Sequence, residues 1–135
     1  MSREAAVVLD ASVGVKWFKD EAGSSVAREL YVRGAEGEVL LAAPTHFVHE
    51  VLSIVRREMG PRAIVEGWEH IQASGITFVP LTTEVIAEAA VQCDALGCTF
   101  YDALAPACAV LLGATLASAD ARVHGAFPQV MLVEA

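Results

Sequence analysis

The sequence predicts an α/β protein: one domain on a central, mostly parallel sheet of about five strands, flanked by helices on both faces. Three observations predict it. Short apolar segments of strand length alternate with longer segments of helical spacing, the mark of βαβ units. The 135 residues suit one domain, residues 1–135, able to bury a single sizeable core. Hydrophobic residues make up 55% of the chain and charged ones 19%, which is a globular composition and not that of a disordered chain.

Each element has its own signal. Ala6 to Leu9 is an unbroken apolar run that reads as a buried strand. Ser24 to Arg33 reads as a helix, because Val26 and Leu30, and Ala27 and Tyr31, stand at i, i+4. Val39 to Ala42 is a second short strand. Pro44 opens a helix running to about Met59, with Val48, Val51, Leu52, Val55 and Met59 as its core stripe. Gly60-Pro61 breaks that helix, and another follows to about Ala73. Ile76 to Val79 is a third strand. Thr82 or Thr83 caps the next helix, with Glu84 in its first turn and Gly97 at its end. An apolar helix covers Tyr101 to Leu112 and stops at Gly113, and Thr115 to Ala117 and Val130 to Val133 are the fourth and fifth strands.

Several function classes are excluded. No apolar run reaches the ~18 residues that span a bilayer, and MSREAAVVLD lacks signal-peptide architecture. A cytoplasmic protein without a membrane partner is expected. The three cysteines, Cys93, Cys98 and Cys108, are odd in number and form no Cys-x-x-Cys pair, so neither a disulfide framework nor a zinc knuckle is spelled out. They read as buried thiols. His46 and His49 stand i, i+3, but no third zinc ligand has a recognisable spacing, and with His70 and His124 they read as ordinary helix-face histidines. Trp17 and Phe18 read as core or dimer contacts, and Trp68 as core. The net charge of −8 argues, taken alone, against a nucleic-acid binder.

Four acids stand out from this background. Asp10 and Asp120 each follow a predicted strand, so both belong at the carboxyl edge of the sheet, where open α/β sheets bind ligands. Each is equally an N-cap for the helix after it. Asp102 is the only carboxylate between Phe100 and Leu112, near the start of an otherwise apolar helix, where a lone charge needs a partner or a large pKa shift. Glu50 lies with His46, Ser53 and Arg57 on a polar stripe beside the core stripe, which is either a solvated face or the wall of a cleft. If all four meet at one edge, each pair ~4 Å apart repels by about 4 kcal/mol at an effective dielectric of 20. A cation is then required, and oxygen-only ligands suit Mg²⁺ or Mn²⁺ rather than zinc. Such a site is suited to phosphodiester chemistry.

The residues that carry this pattern resemble the PIN-domain family, most closely the VapC-type toxins of toxin–antitoxin pairs. VVLDASVGVKWF is similar to the family's first acidic motif, an apolar strand followed by Asp10 and a small hydroxyl residue, Ser12. PTHFVHEVLSIVRRE is similar to the second, with Pro44 six residues before Glu50. YDALAPACAVLLGATLASADARV is similar to the joined third and fourth, in which Asp102 opens a helix and Ser118-Ala119-Asp120 follows a strand. The order and spacing of these motifs cover nearly the whole chain. The resemblance implies a metal-dependent endoribonuclease that cleaves structured RNA of the tRNA or rRNA class through metal-activated water. It implies one or two Mg²⁺ or Mn²⁺ ions held by Asp10, Asp102, Glu50 and Asp120, with Asp10 and Asp102 as principal ligands and Ser12 and Ser118 in support. A homodimer and a cognate antitoxin are implied as well.

Two departures from the family pattern bear on the site. Ser53 stands where many relatives carry Asn, three residues after the acid. Pro106 lies inside the helix of Asp102 and cannot donate to its carbonyl, so the helix either kinks there or starts later than Tyr101. If four acids are metal ligands, the remaining formal charge is −8 + 4 = −4, and Lys16, Lys19, Arg56, Arg57 and Arg62 are candidate RNA contacts. Two other classes compete. A PIN-fold protein can bind RNA without cutting it. A receiver-like signalling domain shares the sheet and the acid pocket, but it needs an acidic pair after the first strand and a lysine after a late one, and no lysine follows Lys19.

Overall fold

Alternation along the strands splits the core into two layers, one on each face of the sheet. In β1 (Ala5–Leu9), Val7 and Leu9 join one buried cluster and Val8 the other. The computed structural model describes residues 5–135. After β1 come a one-turn helix, α1 (Ala11–Gly14), a 3₁₀ turn (Val15–Trp17) and α2 (Ser24–Ala35). β2 (Val39–Pro44) leads into α3 (His46–Met59), a second 3₁₀ turn (Pro61–Ala63), α4 (Ile64–Ala73) and β3 (Thr77–Val79). Then follow α5 (Thr83–Leu96), α6 (Phe100–Leu112), β4 (Thr115–Ser118), α7 (Ala121–His124) and β5 (Val130–Leu132).

The five strands are all parallel, in the order β3-β2-β1-β4-β5, so the predicted fold class holds. One cluster packs α1 to α4 against the sheet through Leu41, Phe47, Val51, Val55 and Ile71. The other packs α5 and α6 through Val85, Ala89, Leu104, Ala107 and Leu116. The direction of winding reverses between β1 and β4, which places a topological switch point at their carboxyl ends, where such sheets open a crevice.

The structure corrects several boundaries. Pro44 does not open α3; it is the last residue of β2, paired with Val79 of β3. The ladder to β1 ends two pairs earlier, at Val8 and Ala42, so on that side the missing N–H has no partner to forgo. Phe47, buried with Val51 and Val55, takes the place in the core stripe expected of Met59, which is 50% exposed. α1 and α7 are too short for periodicity to reveal. α6 starts at Phe100, earlier than expected, because Thr99 caps it by accepting the Asp102 N–H (3.2 Å), and it runs as one helix through Pro106. Trp17 is core, its indole N–H donating to the Ala27 carbonyl at 2.9 Å. Only Cys108 of the three cysteines is buried; Cys93 and Cys98 are half-buried. Among the described residues, no single helix is long and apolar enough to cross a membrane.

Candidate active site

The switch point collects the acids. Asp10 follows the last residue of β1, and its backbone N–H donates to the Ala117 carbonyl of β4 at 3.0 Å. Asp120 stands two residues beyond β4. Asp102 occupies the first turn of α6, and Glu50 the second turn of α3, the helix that leaves β2 at the same edge. All four line one open cavity of about 530 Å³, with Ser12, Val15, His49, Ser53 and Ile54 among the other wall residues.

The two readings of Asp10 and Asp120 turn out to be compatible. Asp10 Oδ2 accepts the Ser12 N–H (3.0 Å) and caps α1, and Asp120 Oδ1 accepts the Val123 N–H (3.2 Å) and caps α7. Each cap fixes one carboxylate oxygen, and the other oxygen has no hydrogen-bond partner among the described residues. Asp102 uses its backbone N–H on Thr99 and is half-buried. Glu50 is exposed and accepts from His46 Nε2 at 3.1 Å, while His46 Nδ1 is buried without a partner.

The hydroxyls stitch the strand ends together. Ser12 Oγ accepts the Ala119 N–H (3.0 Å), tying α1 to the exit of β4. Ser118, fully buried, accepts the Asp120 N–H (3.1 Å) and shares a 2.7 Å hydrogen bond with His124 Nδ1. Ser53 lines the cavity, but its hydroxyl donates to the His49 carbonyl one turn back (2.7 Å). Two wall or support residues lacked a sequence signal of their own. His49 and His124 both read from sequence as ordinary helix-face histidines.

The basic candidates divide. Lys16 is 2% exposed, and its ammonium bonds Glu21 (3.1 Å) and the Ala22 carbonyl, so it is an internal strut of the loop before α2 rather than an RNA contact. This corrects the expectation: a lysine stem laid into the core needs a local carboxylate, and Glu21 supplies it. Lys19 pairs with Glu21 and Glu58. Arg56 lines a hollow beside the acidic cavity together with His49 and Ser53, and Arg57 is exposed and within 3.4 Å of Glu58.

Among the described residues, no lysine or arginine lines the acidic cavity. Its donors are four carboxylates, two hydroxyls and one imidazole, with no thiol, a set that fits a hard divalent cation such as Mg²⁺ or Mn²⁺. Among the described residues, no three acidic, histidine or cysteine side chains converge tightly enough to clamp an ion unaided. An ion there would rely on water and substrate phosphate for the rest of its ligands, as Mg²⁺ held by one or two carboxylates commonly does.

A model of the PIN domain family matches residues 7–127. Among solved structures, a chain of a toxin–antitoxin complex from Klebsiella pneumoniae superposes with a TM-score of 0.73 at 13% identity, covering 96% of this chain and 99% of its own. Mycobacterium tuberculosis VapC20, a sarcin–ricin loop cleaving toxin, superposes with a TM-score of 0.66 at 17% identity, over 89% of this chain and 94% of its own. No curated protein matches. At such identities the structural likeness speaks for the fold.

Proposed function

The chain belongs to the PIN-domain family, and from that premise we propose that it is a metal-dependent endoribonuclease, the toxin of a type II toxin–antitoxin pair. The observation that carries the reading is the gathering of Asp10, Glu50, Asp102 and Asp120, from four separate segments, along one cavity that no lysine or arginine lines among the described residues. Asp10 and Asp102 are the proposed principal ligands of Mg²⁺ or Mn²⁺, with Glu50 and Asp120 completing the site directly or through water. When bound, the ion neutralises the phosphate and activates a water for in-line attack on phosphorus. The protein's part is orientation. The two caps hold Asp10 and Asp120 by one oxygen each and leave the other for the ion. Glu50, exposed on α3, faces the polynucleotide, and Arg56 and Arg57 serve as backbone contacts.

The substrate class is structured RNA, and the partners are a cognate antitoxin and a second copy of the chain. The structural neighbour found in a toxin–antitoxin complex supports the antitoxin. A cytoplasmic location fits three cysteines left unpaired. The test is cleavage of structured RNA with Mg²⁺ or Mn²⁺, lost on adding EDTA and in Asp10→Asn. Cleavage that persists in EDTA overturns the metal mechanism. Tight RNA binding without cleavage under any divalent ion turns the reading to a non-cutting PIN-fold RNA-binding protein.

A further inference from the structure

The helix that carries Asp102 contains a defect and its repair. In α6 the carbonyl of Asp102 would accept the N–H of residue 106, which is Pro106 and has none. His124 Nε2 lies 2.8 Å from that carbonyl oxygen, and His124 is 1% exposed. A carbonyl only accepts, so Nε2 carries the proton and donates. In the neutral ring Nδ1 is then an acceptor, and the Ser118 hydroxyl donates to it at 2.7 Å. Ser118 Oγ in turn accepts the N–H of Asp120 at 3.1 Å. The hydrogen bonds run without interruption from the backbone of one acid to the backbone of another, through two fully buried side chains.

We propose that His124 is a positioning residue that replaces the donor lost at Pro106 and, through Ser118, fixes Asp102 and Asp120 at one mutual spacing for the cation. This rests on the metal-site reading above. Groups that orient a metal's ligands from behind typically change affinity by about 10- to 100-fold when removed. The device explains how a proline is tolerated four residues after a candidate ligand: the helix there is anchored from outside rather than by its own ladder.

The test combines two substitutions with Mn²⁺ titration calorimetry on the intact chain. His124→Phe keeps the ring volume and removes both nitrogens, and is expected to weaken Mn²⁺ by about 10- to 100-fold. Adding Pro106→Ala restores an N–H to the helix and is expected to recover most of that loss, whereas a histidine that served only packing would show no such rescue. An unchanged Mn²⁺ affinity in folded His124→Phe, or a double variant as weak as the single one, overturns the proposal. The ¹⁵N resonances of His124 in the metal-free wild-type protein test the link without any variant. The Nε2-protonated tautomer is expected, and the Nδ1-protonated one refutes it. If the wild type binds no Mn²⁺, the metal reading fails by itself, while the link is still decided by the tautomer and by whether Pro106→Ala restores the unfolding midpoint lost in His124→Phe.

Discussion

At the scale of single residues, Asp10 serves two purposes, and they can be separated. Asparagine caps a helix about as well as aspartate but carries no charge. Asp10→Asn is therefore expected to leave the urea midpoint near that of the wild type while abolishing RNA cleavage. Asp10→Ala should abolish cleavage and also lower the midpoint, losing about 1 kcal/mol with the cap. Equal destabilisation by the two substitutions would show that the cap is not what Asp10 supplies. Burial pushes the Cys108 thiol up to about 11, so at pH 8 it is almost wholly protonated and inaccessible. Alkylation followed by mass spectrometry should label Cys108 only after denaturation. Asp102 stood out in sequence because apolar neighbours isolate it, Asp10 and Asp120 because each follows a strand, and Glu50 only through the motif it shares with Pro44. The burial of Lys16 was not, since its partner Glu21 lies in a loop with no periodic signal. Nor was the task of His124, because the carbonyl it serves is 22 positions upstream and only the folded chain brings them together.

At the scale of elements, caps and close approaches hold the site's walls. Thr99 anchors the turn containing Asp102, and Thr99→Ala should cost about 1 kcal/mol in chemical denaturation, with Thr99→Ser close to neutral. α1 sits against α3 through Gly14, where an added Cβ would lie 2.6 Å from Phe47 Cε2 and 2.9 Å from Val51 Cγ2. Gly14→Ala should therefore force the Asp10 and Glu50 walls apart and lower stability by about 1–3 kcal/mol, read as a lower midpoint at unchanged m-value. The long helices and the strands could be read from spacing because each turns an apolar stripe or run towards one of the two core layers. The one-turn helices could not, since four residues contain a single repeat and their existence depends on the Asp10 and Asp120 caps. The end of β2 was misread because a proline before an amphipathic run signals a helix start and a strand end alike, and only the neighbouring ladder separates the two.

At the scale of the whole molecule, a net charge of −8 and a cavity lined by four acids, with no lysine or arginine among its described lining residues, are expected to make stability respond to divalent cations. A ligand bound only by the native form stabilises by RT ln(1 + [L]/Kd), about 2.7 kcal/mol at a hundredfold excess over Kd. Mn²⁺ should raise the melting temperature of the wild type, EDTA should reverse the rise, and Asp102→Asn should remove most of it. No change in melting temperature with saturating Mn²⁺ would count against the site. On the proposed function, RNA affinity should be weak and should fall with added salt along a shallow slope, because few arginines are placed to neutralise phosphates.

The strand order sets when this machinery becomes complete. β1 begins the described chain, yet one of its two neighbours is β4, with Val7 beside Thr115. A fragment ending ahead of β4, whether from stalled synthesis or from proteolysis, has a central strand with one bare edge and lacks Asp120. Such a piece exposes a bare strand edge and lacks one of the four proposed ligands, so it is expected to aggregate and, on the proposed function, to leave RNA uncut.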